Sequence, residues 1–231
     1  ERFTVIVKML LVIVDSAEET IEVRDQAWHC LNAAGLRNSV EDYLANERHL
    51  EQFLQYVESF PSRTGRLCAL SVLCTSRNGL VENGNLCDLV HHVSQVYRII
   101  GDPDPEIVKK ISYFLSYYID AYMDEPASEA ICDELISQGV FNRLHELSNS
   151  DEKDLQVAAL SLIRGLADGF EGKLVPELID AGLMPFVKTS LHSAYEEVQQ
   201  EALEVVSGIA EVSDLCFQDK ELLDCMERLT Q

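Results

Sequence analysis

Histidines and cysteines are the side chains in this sequence that could bind a metal ion or act as nucleophiles. His91 and His92 form the only adjacent histidine pair. Neighbouring residues on a helix point about 100° apart, which does not suit binding of one shared ion. Cys68 and Cys74 are too widely spaced along one predicted helix for a closed zinc site. The sequence therefore predicts no metal site.

Paired carboxylates are the next candidates, because two acids close together can act as general acid and general base. Glu18-Glu19 and Glu196-Glu197 lie in predicted turns before helices, where acids stabilise the helix N-terminus through its dipole. We interpret them as helix-capping residues. No phosphate-binding glycine-rich loop and no nucleophile elbow is present, and only a Ser-His-Asp triad assembled from distant residues stays open. We expect no enzymatic activity and no cofactor.

The cysteines indicate a reducing compartment. Their number is odd and most have apolar neighbours, whereas a secreted disulfide framework needs a denser, paired pattern. Buried, reduced thiols pack as small apolar side chains, so we expect a protein of the cytoplasm or the nucleus. The seven residues are Cys30, Cys68, Cys74, Cys87, Cys132, Cys216 and Cys225.

The formal charge of −22 excludes two classes of partner. Residues 1–120 hold 17 acids and 11 bases, whereas residues 121–231 hold 23 acids and 7 bases, which gives −6 and −16. Such a field repels a nucleic-acid backbone or an anionic bilayer and attracts a basic peptide or protein. The alternative, and the more frequent case, is that the acids only keep a helical surface soluble.

No apolar run is long enough to cross a membrane, because the run MLLVIV is flanked by Lys8 and Asp15. We therefore expect no direct membrane insertion. The chain starts at Glu1 without an initiator Met or a signal pattern, so we expect a piece of a longer protein.

An internal repeat organises the chain. Residues 177–212 and 134–170 share a pattern at an offset of 43, with Gly182 matching Gly139 and Ala202 matching Ala159. Further steps backwards reach Ile111, Ala69 and Ala27, with spacings of 48, 42 and 42. Each copy ends in a segment of helical periodicity. A unit of about 40–47 residues that cannot bury its apolar face alone is typical of an α-solenoid.

Within this frame the sequence predicts helices over 21–36, 47–59, from after Ser62 to about 76, 86–100 and 105–123, with Trp28 as a core anchor. The helix over 47–59 is amphipathic, with Leu50, Phe53, Leu54 and Val57 expected on one side. Asn78-Gly79 and residues 83–85 are predicted as a loop, residues 124–128 as the longest irregular piece, and 214–230 as a capping helix. Asp104 is expected to cap the helix that starts at Pro105, and Ser62 to cap the helix that runs to about Ser76. Residues 3–14 fit either a buried strand or a helix without an upstream neighbour, and in the second case we expect self-association there.

The runs LIDAGLMPFV and EEVQQEALEVVSGIA resemble the armadillo repeat: a glycine turn, a helix opening near Pro185, a polar loop and a long helix with a central Ala. The resemblance implies an all-α, right-handed α-solenoid of about five armadillo-like helical repeats with a C-terminal capping helix. We expect one domain over 1–231. Its units would span about 3–36, 47–78, 86–122, 134–168 and 177–212, with a cap over 214–231.

The resemblance also implies a protein-binding groove. In armadillo arrays the long third helices line a concave surface, with exposed positions two and six residues after the central Ala. The importin-α ladder of Trp and Asn is missing from these positions. Tyr113 and Tyr117 form an i, i+4 pair that either contacts a partner or packs under the 124–128 segment. The expected groove residues are His29, Ser71, Thr75, Lys109, Tyr113, Tyr117, Ser161 and Glu204.

The function expected from these features is a protein-binding scaffold or adaptor that holds an extended peptide, a helix or a folded domain. Two alternatives follow from the resemblance alone. One is a chaperone cofactor of the armadillo nucleotide-exchange type, and the other is a protein similar to nuclear transport receptors. Gly165 and Gly208 either admit a partner's backbone or, more simply, allow tight helix packing.

Overall fold

The computed structural model describes residues 2–16, 18–33, 47–82, 89–121 and 126–212, and every regular element in these ranges is helical. The all-α prediction is therefore confirmed for the described residues. The helices are α1 Arg2–Asp15, α2 Ile21–Ala33, α3 Glu47–Ser59, α4 Arg63–Glu82, α5 Leu89–Ile100, α6 Pro105–Ala121, α7 Pro126–Ser137, α8 Val140–Ser148, α9 Lys153–Asp168, α10 Val175–Asp180, α11 Met184–Ser190 and α12 Glu196–Val212, and a 3-10 helix spans Gly169–Gly172.

The chain divides into two compact units, Glu1–Phe114 and Leu115–Gln231, and the boundary lies inside α6. The central residue of each proposed repeat lies in a helix, and its side chain is buried. A small or apolar side chain there is what close helix packing requires. The buried central residues are Ala27, Ala69, Ile111, Ala159 and Ala202.

The core of the first unit forms around Trp28, which is only 1% exposed. Its ring meets Phe53 edge-on at 5.2 Å and Tyr56 at 5.2 Å, and such aromatic pairs add to the energy of area burial. Arg24 lies over the Phe60 ring at 4.7 Å and donates Nε–H to the Val14 carbonyl at 2.8 Å. These contacts link α1, α2 and α3 and confirm Trp28 as a core anchor.

The periodicity of α3 is that of an amphipathic helix. All four of its predicted core residues are buried, so the side of the helix that faces the core is as expected. They are Leu50, Phe53, Leu54 and Val57.

Short polar side chains start two helices of the first unit. Ser62 Oγ accepts a hydrogen bond from the Gly65 amide at 3.2 Å, and Asp104 Oδ1 accepts one from the Glu106 amide at 3.1 Å. Each satisfies a helix-terminal N–H that has no partner within the helix. The predicted caps at Ser62 and Asp104 are confirmed.

Two predicted loops are wrong. α4 continues through Asn78-Gly79 to Glu82, because one interior glycine costs only about 1 kcal/mol relative to alanine and the surrounding helix can offset it. α7 begins at Pro126, so 126–128 are helical, since proline suits the first helical turn. Residues 83–85, 122–125 and the predicted cap over 214–231 lie outside the described residues.

The second unit repeats its turns at the offset of 43. Gly139 and Gly182 both adopt left-handed backbone angles, with φ of 86° and 72°, which glycine adopts without steric cost. Ser150 Oγ accepts from the Glu152 amide at 3.1 Å, and Ser193 Oγ accepts from the Tyr195 amide at 3.2 Å.

A glutamine supports the same turn in both copies. Gln156 Nε2 donates to the Ser150 carbonyl at 2.9 Å, and Gln199 Nε2 donates to the Ser193 carbonyl at 2.7 Å. α9 and α12, which follow these turns, form the most extensive helix pair in the second unit. The repeat is therefore visible in hydrogen bonds as well as in apolar spacing.

Candidate functional site

The positions two residues after each central residue differ in exposure. His29 and Glu204 are exposed, Ser71 and Tyr113 are half-buried, and Ser161 is fully buried. Ser71 Oγ donates to the Leu67 carbonyl at 2.8 Å. Four of these five side chains are therefore at least partly exposed.

Ser161 was expected to line the groove, and its burial shows that this expectation is wrong. A Cβ atom on Gly165, one turn later on α9, would lie 2.7 Å from Ser116 Cα. The backbones of α6 and α9 approach too closely there for a side chain. Because Ser161 and Gly165 share one face of α9, this approach covers Ser161. At Gly165 the packing interpretation is confirmed.

The second predicted position, six residues after the central one, varies as well. Ala33 is exposed, Tyr117 and Gly208 are half-buried, and Gly165 is buried. A Cβ atom on Gly208 would meet the Asp168 carboxylate, which is the mobile end of a side chain. Thr75 lies in α4, and its side chain is not among those that the structure describes.

Lys109, Tyr113 and Tyr117 lie at successive turns of α6 and are all half-buried. Each already takes part in an interaction within the chain. Tyr118, next to them, is 1% exposed and belongs to the core. The pair Tyr113 and Tyr117 thus combines packing with remaining ring surface.

His29, one of the expected groove residues, contacts a buried cysteine. His29 Nδ1 lies 3.5 Å from Cys68 Sγ. Burial raises the pKa of the Cys68 thiol, and the Asp25 carboxylate raises it further. A raised pKa favours the neutral thiol, which is a weaker nucleophile than the thiolate.

The four described cysteines are all free. Cys68 and Cys132 are buried and Cys74 is half-buried, as expected for packed thiols, whereas Cys30 is exposed. The expectation of burial is wrong for Cys30, which lies on the outer side of α2. Cys87, Cys216 and Cys225 lie outside the described residues.

Within the described ranges, no group of three or more His, Cys, Asp or Glu side chains could hold a metal ion. His92 is buried, and the His91 side chain is not described. In the same ranges no helix is both long and apolar enough to cross a membrane.

Ion pairs in the first unit connect residues about one repeat apart. Arg63 pairs with Asp104 and, at 3.0 Å, with Glu106, and Arg98 Nε lies 2.7 Å from Glu58 Oε1. Burial raises the pKa of Asp104, but hydrogen bonds from Arg63 and two backbone amides outweigh it, so the pKa is lowered. The Arg98 hydrogen bond lowers the pKa of Glu58.

In the second unit, ion pairs connect α9 with α12. Lys153 Nζ lies 2.6 Å from Glu197 Oε2, and this hydrogen bond raises the Lys153 pKa. Arg164 Nη1 lies 3.7 Å from Glu201 and 3.9 Å from Glu204. Spacing within one helix does not reveal such pairs, because the partners are 37 to 44 residues apart.

One exposed face of α12 is polar. Its members follow the helical spacing i, i+4, i+7 and i+11, which places them on one side. We call this face the α12 strip, and it consists of Gln200, Glu204, Ser207 and Glu211, all exposed.

A shallow cleft was not predicted from the sequence. It has a volume of about 440 Å³ and lies where α9 and α12 begin. The sequence signal was an aromatic residue, Tyr195, just before the two acids that start α12. The lining residues are Lys153, Ala194, Tyr195, Glu196, Glu197 and Gln200.

No protein-family model and no curated protein sequence matches this chain. Solved structures do match it. A designed armadillo repeat protein in complex with the peptide (KR)4 is 18% identical, with a TM-score of 0.63 over 97% of this chain and 88% of that one. An engineered protein has a TM-score of 0.66 at 18% identity, over 96% of this chain and 94% of that one.

A third match is a computationally designed armadillo repeat protein for modular peptide recognition, with a TM-score of 0.63 and 18% identity over 98% of this chain and 91% of that one. Likeness at this identity shows the fold and nothing more specific. Together with the repeated turns and buried central residues, it shows that the chain has the all-α, armadillo-like repeat fold.

Proposed function

We propose that the chain is a non-catalytic scaffold that binds another protein through exposed positions on the long helices of its repeats. The observation that carries the proposal is the α12 strip. It presents Glu204 and Glu211 on one exposed face of a repeat helix. Glu204 lies 3.9 Å from Arg164, yet its side chain is 54% exposed, and Glu211 forms no ion pair with a described residue. In a repeat fold, side chains that keep exposed surface on a repeat helix are available for a partner.

Charge favours a basic partner. The chain has a formal charge of −22, and the designed armadillo protein that resembles it is described in complex with the peptide (KR)4. An acidic face raises the encounter rate with a cationic segment and selects against an anionic one. An extended basic segment is therefore the partner we propose.

The test uses labelled (KR)4 peptide and fluorescence anisotropy, with a (GS)4 peptide of equal length as the neutral control. We expect (KR)4 to bind the wild-type chain and to bind more weakly at high salt, because exposed charges are screened. Glu204→Gln with Glu211→Gln should weaken binding by about 0.5–1 kcal/mol per exposed charge. Glu177→Gln, which removes an exposed acid elsewhere in the unit, should have little effect.

Two results would contradict the proposal. One is no difference between (KR)4 and (GS)4. The other is equal loss of affinity in the Glu177 control and in the α12 variants, which would indicate attraction by net charge without a site.

Tyr113 and Tyr117 are proposed as further contacts. Their half-buried rings can add apolar contact area to a bound segment. Tyr113→Ala with Tyr117→Ala should weaken peptide binding, whereas the two Phe substitutions should retain most of it. Unchanged affinity in the Ala variant would assign both tyrosines to packing.

A further inference from the structure

The cleft between the starts of α9 and α12 combines an open aromatic ring with carboxylates. Tyr195 is 48% exposed and lines the cleft beside Glu196 and Gln200. Lys153 closes the side formed by α9. Five of the six lining residues belong to the fifth repeat copy and Lys153 to the fourth.

The charge remaining in this cleft is negative. Lys153 is neutralised within the chain, because Nζ lies 2.6 Å from Glu197 Oε2 and 3.7 Å from Asp154 Oδ1. Glu196 is exposed and forms no ion pair with any described residue. A cation entering the cleft would therefore find one uncompensated carboxylate, whereas an anion would find a lysine already engaged.

The backbone at Tyr195 is held before any partner binds. Its amide donates to Ser193 Oγ at 3.2 Å, and its carbonyl accepts from the amides of Val198 and Gln199, both at 3.1 Å. Gln199 Nε2 also donates to the Ser193 carbonyl. Because the turn is fixed, binding a partner there orders little besides the two side chains, and that lowers the entropic cost.

The aromatic residue is particular to this copy. Glu152 occupies the equivalent position 43 residues earlier, in a turn with the same hydrogen bonds. The repeat fold needs only the turn, so it does not explain a half-exposed tyrosine there. An aromatic face next to a free carboxylate is the combination that suits a planar cation.

We propose that this cleft binds an arginine side chain of the partner protein, with the guanidinium stacked on Tyr195 and paired with Glu196. This inference rests on the proposed function and specifies one residue of the bound segment. Arginine is favoured over lysine because its planar group can stack on the ring while donating two hydrogen bonds to one carboxylate.

The test compares labelled (GR)4 and (GK)4 peptides, which carry equal charge, by fluorescence anisotropy. For the wild-type chain we expect binding of both, with (GR)4 tighter by about two- to fivefold, the size of an exposed cation–π contact. Tyr195→Ala should abolish this preference, and Tyr195→Phe should keep it. Glu196→Gln should weaken (GR)4 binding more than Glu177→Gln does.

The outcomes separate the two proposals. If neither peptide binds the wild-type chain, the proposed basic partner and the arginine cleft both fail. If both peptides bind and the preference is missing, or survives in Tyr195→Ala with an unchanged thermal melt, the cleft is overturned while binding of a basic partner stands.

Discussion

Gly165 lies so close to Ser116 that a Cβ atom on the glycine would stand 2.7 Å from the serine Cα. This contact between backbones fixes how α6 and α9 meet within the second unit. Gly208, the equivalent glycine one repeat later, meets only the carboxylate end of the Asp168 side chain. The two glycines share a sequence position in the repeat and differ in what surrounds them.

We expect Gly165→Ala to destabilise the chain by about 2–3 kcal/mol, because the added methyl group meets backbone that must shift. Gly208→Ala should change stability by less than about 1 kcal/mol, since the Asp168 side chain can rotate and alanine favours the helix. Urea denaturation of both variants measures the difference. Equal losses would show that the α6–α9 approach is no closer than the α9–α12 one.

A second matched pair concerns two arginines of the first unit. Arg66 pairs with Asp102, and their side chains are only 14% and 10% exposed, whereas Arg98 and Glu58 are 57% and 32% exposed. Arg66→Ala leaves a mostly buried carboxylate without its partner and should cost about 3 kcal/mol. Arg98→Ala should cost less than about 1 kcal/mol.

Thermal and urea denaturation at neutral pH compare these two variants. Asp102 also accepts a hydrogen bond from the Asp104 amide at 2.8 Å, so Arg66→Ala with Asp102→Asn should recover part of the loss. A double variant that is less stable than Arg66→Ala would argue that the amide contact, and not the ion pair, dominates.

Acid should weaken the first unit through Asp104 and Glu58. The pKa values of both are lowered from ordinary values of 3.8 and 4.5. A carboxyl whose folded-state pKa is lowered contributes stability that is fully present above its unfolded pKa. That stability is lost as the pH falls through the folded value. The loss should therefore begin below about pH 5.

Substituting the arginines that pair with Asp104 and Glu58 tests whether stability falls with pH for this reason. In Arg63→Gln with Arg98→Gln, the two carboxyl pKa values return toward their ordinary range, so stability should fall less steeply between neutral and acidic pH. Urea midpoints measured across this pH range give the slope. A slope equal to that of the wild-type chain would assign the acid sensitivity to other groups.

The sequence predicts the parts of this fold that depend on local spacing. The central residues from Ala27 to Ala202 follow helical periodicity within single segments, and the caps at Ser62 and Asp104 involve neighbouring residues. Such interactions are set within a few residues along the chain. Because these interactions are local, the repeat can be detected from the sequence although identity between its copies is low.

The parts that were wrong depend on contacts distant in sequence. Ser161 is covered because Gly165 admits the backbone of Ser116, 49 residues earlier, and periodicity does not report the distance between two helices. Asn78-Gly79 is a turn signal that the surrounding helix overrides. The cleft at the starts of α9 and α12 was missed for the same reason, since Lys153 and Glu197 meet across two repeat copies.

Self-association through residues 3–14 stays a prediction. Those residues form part of α1, which packs Leu11 and Val14 into the first unit and leaves Ile6, Met9 and Val12 exposed by 50%, 61% and 69%. Their spacing of three residues places them on neighbouring turns, so a second copy could cover them with the same helix. Burying such side chains is favourable by about 25 cal/mol per Å².

Salt separates this association from peptide binding. Two copies with a charge of −22 repel each other, so screening by salt should strengthen self-association, whereas it weakens binding of a basic peptide. In sedimentation velocity, the mass of the wild-type chain should rise with concentration, and more so at high salt. Met9→Lys should remain monomeric, while Ile179→Lys, at an exposed apolar residue of the second unit, should behave as wild type. A strict monomer at high concentration and high salt would remove the prediction.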